Sequence, residues 1–387
     1  MSGTKYEYKN PHRFIRKNKY SFRMRRSFVI NLIGLLVLYI GYLLSTSTSV
    51  IDPEYKIYFR IISATLFSVN IIIDKSISAK YTFPLLALFF MLTLNQSYIG
   101  ANIVFIVMMS MSLELIGKNK SINTILIVTS ILVFVHIALL MSGQIADTTT
   151  NFGNRLRSTL GFANANQASA IYLSFALLSI YAIHIKYSKA KLFFAILAVG
   201  LAVAVFLRTD SRTAMAGLII SAILMMANTS LKRYLWFRKA LLLFAYITPL
   251  ICIAATYYMI NNSNREMNYL FSNRPYLYGN FLQNKSIWEI ISGWKLLDGE
   301  DVDSGYLMLL SGIGAIGSSI ILLLYLFNIR RQGNITLLMA STFLILSMFE
   351  AFLLRPEIPL SLFFAQILSR RQPASNASAQ AKSPAIG

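Results

Sequence analysis

Apolar residues along this chain fall in long, nearly uninterrupted runs. Phe28 to Leu44, Ile122 to Met141 and Leu192 to Leu207 hold no charged residue, and Ile320 to Phe327 continues the pattern. A helix needs about 20 mainly apolar residues to cross the hydrocarbon core of a bilayer, with roughly 17 as a lower limit. That rule predicts twelve spans: 28–46, 57–74, 82–95, 98–117, 122–142, 164–185, 191–208, 213–229, 239–260, 304–328, 334–354 and 357–369. The third and twelfth are short for the distance. The expected fold is all-α, a single polytopic bundle over residues 28–369. A basic tail (1–27) precedes it, and an Ala/Ser-rich tail (370–387) follows, with a composition that favours disorder. The first run follows a polar stretch with no small-residue cleavage site, so it reads as an anchor rather than a removed signal peptide.

Composition agrees: 56% of the 387 residues are hydrophobic, against about 45–50% for a soluble domain. The net charge of +21 would suit a nucleic-acid binder, but the positions of the charges exclude that reading. Lys and Arg gather on the cytoplasmic side of short loops in membrane proteins. With the N-terminus inside, 25 of the 36 basic residues fall on inner segments, and the outer segments carry 11 basic and 11 acidic residues. Both termini are then cytoplasmic, and an error of one span would spoil the alternation.

Three predicted spans hold a charge inward of their end residues, which costs about 2.5–3.5 kcal/mol at mid-bilayer. Arg60 lies one turn into the second span and is expected to snorkel outward. Glu114 lies near the inner end of the fourth. Glu350 lies near the outer end of the eleventh, one turn from Arg355, where a helix-end ion pair is the plain expectation. Cys252 is the single cysteine, inside an apolar run, and reads as a small hydrophobe. His12, His136 and His184 all fall outside the outer segments, so no histidine metal site is expected there.

Two outer segments are long, 143–163 and 261–303, and long ordered loops tend to carry function. The second reads as partly helical. Tyr276, Tyr278, Phe281 and Trp288 give it the makings of an amphipathic surface element. The charged residues of interest all lie outside: Arg155 and Arg157 in the first segment, Arg208 and Arg212 where the seventh and eighth spans meet, and Arg274 in the second long segment. Guanidinium groups grip phosphate oxygens with paired, charge-assisted hydrogen bonds and keep their proton. Arginines from three separate segments therefore point to an anion site. Lipid headgroups or neighbouring carboxylates are the bland alternative. Gly312, Gly314 and Gly317 read as close-packing positions. A transporter would favour internal repeats, broken helices and midplane charges, and the sequence displays none of these.

Four pieces of sequence together resemble the Wzy-like O-antigen polymerase and ligase superfamily. They are the Arg-x-x-x-Gly-Phe-x-Asn-x-Asn pattern from Arg157 to Asn166, Ser211-Arg212-Thr213, the Ser-x-Arg ending at Arg274, and the Asp-x-x-Tyr-Leu…Gly…Gly stretch from Asp303 to Gly317. The resemblance covers most of the chain after about residue 150. It implies a glycosyltransferase of the GT-C class in the bacterial inner membrane, with its active site facing the periplasm. Its partners would be donor and acceptor oligosaccharides on undecaprenyl diphosphate, membrane lipids and, for a polymerase, a chain-length regulator protein. No cofactor or metal is implied, although Asp301-Val302-Asp303 looks like a metal-binding Asp-x-Asp. Arg155, Arg157, Asn164, Asn166, Arg208, Arg212, Arg274 and Tyr306 would bind diphosphate or glycan. Asp303, Arg274 and Arg212 would be catalytic, with Asp303 as base or acceptor-orienting group. Helix capping is the plain alternative for Asp303. The ligases place a His just before the Tyr-Leu helix start, and here Asp303 stands in that neighbourhood. A polymerase is the expectation; a ligase onto lipid A core and a polysaccharide transporter are the alternatives.

Overall fold

The computed structural model describes residues 11–46, 52–73, 98–152, 155–162, 164–185, 187–296, 302–330 and 332–369. The predicted third span, the C-terminal tail, and Asp298, Glu300 and Asp301 lie outside these residues. The molecule is mainly helical, in this order: α1 (Pro11–Thr46), α2 (Lys56–Ile73), α3 (Tyr98–Glu114), α4 (Lys118–Met141), the hairpin β1 (Thr149–Phe152) and β2 (Arg155–Ser158), α5 (Ala165–Ile185), α6 (Lys189–Thr209), α7 (Arg212–Leu231) and α8 (Leu235–Asn261). Three short helices follow, α9 (Arg265–Leu270), α10 (Arg274–Leu282) and α11 (Ile287–Ser292), then α12 (Gly305–Ile329), α13 (Asn334–Leu346) and α14 (Pro359–Ser369).

Among the described residues, eight helices are long and apolar enough to cross a membrane: the Met24–Thr46 part of α1, α2, the Asn119–Met141 part of α4, and α5, α6, α7, α8 and α12. The predicted fourth, eleventh and twelfth spans appear as the shorter helices α3, α13 and α14. α5 is the axis of the bundle, with 78% of its membrane-length window buried by the rest of the chain. A helix apolar on every face belongs in the middle of such a bundle. α5 packs against α4, α6, α7 and α14. Its Phe175 meets Phe194 of α6, and its Tyr181 meets Phe363 of α14. Small residues (Ala168, Ala170 and Ala176 on α5; Ala198 and Ala202 on α6) are buried along these faces and let the backbones approach.

Among the described residues two helices are interrupted, where the sequence suggested none. α12 breaks at Gly314, whose φ of 65° and ψ of −179° are non-helical. The break frees the carbonyl of Ser311, which accepts a hydrogen bond from Trp294 N at 2.7 Å. A Cβ at Gly314 would sit 2.2 Å from Ile291 O and 2.6 Å from Gly293 N. Only glycine lets the end of α11 seat there. α11 is a single short helix held by a capping box, in which Ser286 and Glu289 exchange bonds. The second interruption follows α13, which ends at Leu346. A turn, a 3₁₀ segment (Ala351–Leu354) and Arg355 to Ile358 then lead to α14. Irregular backbone within a membrane-length bundle is tolerated where protein covers it. Here Ser347, Met348, Glu350, Ala351, Leu353, Glu357 and Ile358 are all buried.

In the segment 261–303, Tyr278 and Phe281 of α10 turn inward, while Tyr276 and Trp288 stay exposed. The inward face carries a second apolar cluster with Cys252, Trp294, Leu307 and Met348. Arg60 does not snorkel into solvent: it pairs with buried Glu357, and Lys56 stands 3.9 Å from the same oxygen. The helix-end pair expected for Glu350 and Arg355 is replaced by one between Glu350 and Arg274.

Candidate functional site

Polar groups gather at one end of the bundle, where α5 and α7 begin, α6 ends and α12 starts. The β-hairpin brings Arg157 there. Thr149 pairs with Ser158 and Phe152 with Arg155, and Asp147 ties the hairpin's exit by accepting from Ser158 Oγ and Leu160 N. Buried His136 of α4 holds the next turn: its Nε2 donates to Leu160 O at 2.8 Å, leaving Nδ1 to accept from Tyr172 OH at 2.9 Å. Arg157 then reaches across to two helix ends. Its Nε donates to Thr209 O at 2.8 Å and its Nη2 to Asn166 Oδ1 at 2.7 Å. Thr209 is itself fixed by Ser169 of α5, their hydroxyls 2.8 Å apart.

Arg274 enters from the other side, at the first residue of α10. Ser272 and Asn273 before it both adopt left-handed backbone, with φ of 55° and 62°. Such conformations cost about 1–3 kcal/mol each and persist where the surroundings enforce them. Leu160 and Asp210 are also left-handed, so backbone strain flanks all three arginine segments that the sequence singled out. Arg274 Nη2 lies 3.2 Å from Glu350 Oε1 and 3.6 Å from Asp303 Oδ2. Its Nε is buried without a hydrogen-bond partner, and its guanidinium lies 5.8 Å from the centre of the Phe349 ring.

Glu350 is the point on which these groups converge. Its turn is held by Tyr278 OH, which donates to Met348 O at 2.8 Å, and by Gly305 N, which donates to Ser347 O at 2.7 Å. Two clefts share it as a lining residue, together with Asn166 and Ala170. One is lined by Asn166, Ser169, Leu173 and Ser211, the other by Asn164, Gln167, Asp303 and Arg355. Both are narrow, each with room for about one water molecule. Burial and repulsion from Asp303 push the Glu350 carboxyl up to about 8, against the pull of Arg274, Arg355 and Arg157. Arg274 thus lies between two carboxyls, and Arg355 and Arg157 add positive potential at Glu350. Such a set binds a compact anion once a carboxyl moves aside or takes a proton.

The structure brings Arg157, Asn164, Asn166, Arg274 and Asp303 together. Arg212 is not part of the cluster: its side chain is 65% exposed and stands 3.9 Å from Asp210. Arg208 is exposed on the last turn of α6. Arg155 takes its backbone place in β2, and its side chain is outside the description. Tyr306 points away, donating to Leu344 O at 3.1 Å inside the second apolar cluster. Asp303 does not cap α12, because Ser304 does. Its side chain is 51% exposed at the mouth of the second cleft. Among the described residues no group of three His, Cys, Asp or Glu is placed to hold a metal. Sequence reasoning missed the central role of Glu350 and the parts of Arg355, Gln167 and His136. An ionisable residue in an apolar run was the available signal for the first two. No family model, no curated protein and no solved structure matches the chain.

Proposed function

We propose that this chain is a membrane glycosyltransferase of the GT-C class that lengthens a surface polysaccharide. It moves a growing glycan from undecaprenyl diphosphate onto the terminal sugar hydroxyl of a new lipid-linked repeat unit. The reaction takes place at the periplasmic face of the bacterial inner membrane, with both termini cytoplasmic. The observation that carries this reading is that three separate segments bring arginines to one cleft at one end of a bundle of membrane-length helices: Arg355 lines it, Arg157 bonds to its wall residue Asn166, and Arg274 pairs with its wall residue Glu350. An anion that meets such a site at a membrane interface is a lipid phosphate, and a diphosphate fits several guanidinium groups best. The resemblance of Arg157 to Asn166 and of Asp303 to Gly317 to the polymerase and ligase superfamily supports the same reading.

The bond to be broken joins the anomeric carbon to a diphosphate oxygen. Charge grows on the departing diphosphate, so fixed guanidinium groups stabilise the transition state more than the ground state. A diphosphate needs little proton donation to leave. Direct displacement by the acceptor hydroxyl inverts the anomeric centre. Arg157 and Arg274 hold the diphosphate, Asn164 and Asn166 orient sugar hydroxyls, and Arg155 with the exposed Arg208 and Arg212 draws the lipid headgroup to the rim.

The test is reconstitution with lipid-linked repeat units purified from the source strain lacking this chain, in the absence of lipid A. A ladder of longer lipid-linked glycans is the expected product. The broken α12 and the irregular stretch after α13 favour, as a second reading, a transporter of the same lipid-linked glycan. A transporter moves the units across the vesicle membrane and yields no ladder; a ligase yields product only when lipid A core is added.

A further inference from the structure

We propose that Glu350, and not Asp303, accepts the proton of the attacking sugar hydroxyl, and that the acceptor sugar reaches it through the cleft between Asn164, Gln167 and Arg355. The inference rests on the transferase reading above. Of the residues that line both clefts (Asn166, Ala170 and Glu350), only Glu350 titrates. Glu350 thus lines one cleft with Ser169 and Ser211 and the other with Asn164 and Gln167, and its carboxyl lies 3.2 Å from the Arg274 guanidinium. It is 8% exposed, so bulk water is kept from competing with the sugar. Asp303 lines the second cleft only, and it is half open to solvent.

The second cleft has the chemistry of a hydroxyl-binding site. Asn164 and Gln167 offer side-chain amides, and the buried Gln167 Oε1 has no hydrogen-bond partner. Arg355 adds a guanidinium for which no ion pair is formed among the described residues. A sugar hydroxyl that enters there meets amides and a guanidinium, a common pairing of donors and acceptors. In the transfer, the acceptor oxygen forms the new bond to the anomeric carbon as the bond to diphosphate breaks, and the bonding pair departs with the diphosphate. The hydroxyl proton passes to Glu350 and leaves to solvent with the product. No co-reactant is required.

The charged groups facing Glu350 are Arg274 from α10, Asp303 from the approach to α12, Arg355 from the end of the 3₁₀ segment and Arg157 from β2. A base whose carboxyl titrates at about 8 gives kcat/KM that rises about tenfold per pH unit below that value and levels off above it. The experiment is the pH profile of chain extension by the reconstituted protein with purified lipid-linked repeat units, for the wild type and the E350Q, E350D and D303N variants. Binding of undecaprenyl diphosphate is measured in parallel. E350Q is expected to lose about 100-fold or more in rate, to lose the slope, and to keep lipid diphosphate binding. D303N removes a repelling charge, so its rise moves to lower pH while the slope stays. E350D keeps the slope at reduced rate, and it carries the test if E350Q fails to fold. A flat wild-type profile between pH 6 and 9, or an E350Q variant with the wild-type rate or slope, overturns the proposal. If D303N alone abolishes transfer, the base is Asp303. Failure of the wild type to make any ladder overturns the transferase reading, and this inference with it.

Discussion

Gly314→Ala is a single methyl group placed where the structure has no room for one. At φ 65° and ψ −179° the backbone occupies a region almost confined to glycine. Holding alanine there costs about 1–3 kcal/mol. The new Cβ would also lie 2.2, 2.5 and 2.6 Å from Ile291 O, Ser292 C and Gly293 N, all backbone atoms that no side-chain rotation can move. The chain has two ways out. α12 can straighten into regular helix, or α11 can lift off. Either breaks the bond from Trp294 N to Ser311 O, a further loss of about 0.5–1.5 kcal/mol. The sum is roughly 2–4 kcal/mol, enough to lower Tm on the order of 5 °C in a chain of this size. The assay is thermal unfolding of purified protein in detergent, with tryptophan emission recorded at 20 °C. Trp294 is buried against Phe281, whereas Trp236 and Trp288 are exposed. Lifting α11 should therefore shift the emission to longer wavelength, and a W294F background should remove that shift. An alanine variant with wild-type Tm and emission would refute the seating of the 261–296 segment on the break in α12.

Three further outcomes are expected. R157K should lose about 100-fold in chain extension, nearly as much as R157A, because lysine cannot bridge Thr209 O and Asn166 Oδ1 together; recovery of half the activity would refute that geometry. R60A should destabilise the protein by about 3 kcal/mol, because it leaves buried Glu357 without its guanidinium partner, and R60M/E357L should restore most of the loss; additive losses in a thermal double-mutant cycle would count against the pair. H136F should lower Tm and chain extension together by stranding Leu160 O and Tyr172 OH, with H136Q recovering part of both; an H136F protein with unchanged rate would show that the hairpin carrying Arg157 is placed by other contacts.

The membrane helices were legible because crossing a bilayer imposes a length and a composition. α5, α6, α7 and α8 begin and end within a few residues of the predicted spans. The end of α13 was not legible. Ala351 to Leu354 are as apolar as the helix before them, so hydropathy ran straight through a turn fixed by tertiary bonds from Tyr278 and Gly305. For the same reason Glu350 looked like the end of a helix paired with Arg355, when its partner comes from α10. The β-hairpin did leave a signal: Gly153-Asn154 lies between two four-residue runs, Thr149 to Phe152 and Arg155 to Ser158, that suit short strands. Arg157 and Arg274 could be chosen from sequence because each is a cation beside turn-forming residues. Arg212 has the same setting, yet its side chain points out of the cluster, and side-chain direction at a helix start is not written in local sequence. Asp303 and Ser304 are both good caps; that the structure uses Ser304 frees Asp303 to face the cleft.

The most direct measurement is the affinity of the purified, nanodisc-embedded chain for undecaprenyl diphosphate, compared with undecaprenyl monophosphate, in the wild type and in R157Q and R274Q. Each guanidinium that touches the second phosphate should be worth about tenfold or more in Kd. The diphosphate should therefore bind more tightly than the monophosphate in the wild type, and each variant should lose most of that preference. Equal affinity for the two lipids, or variants that bind the diphosphate as the wild type does, would contradict the idea of an arginine-built diphosphate grip.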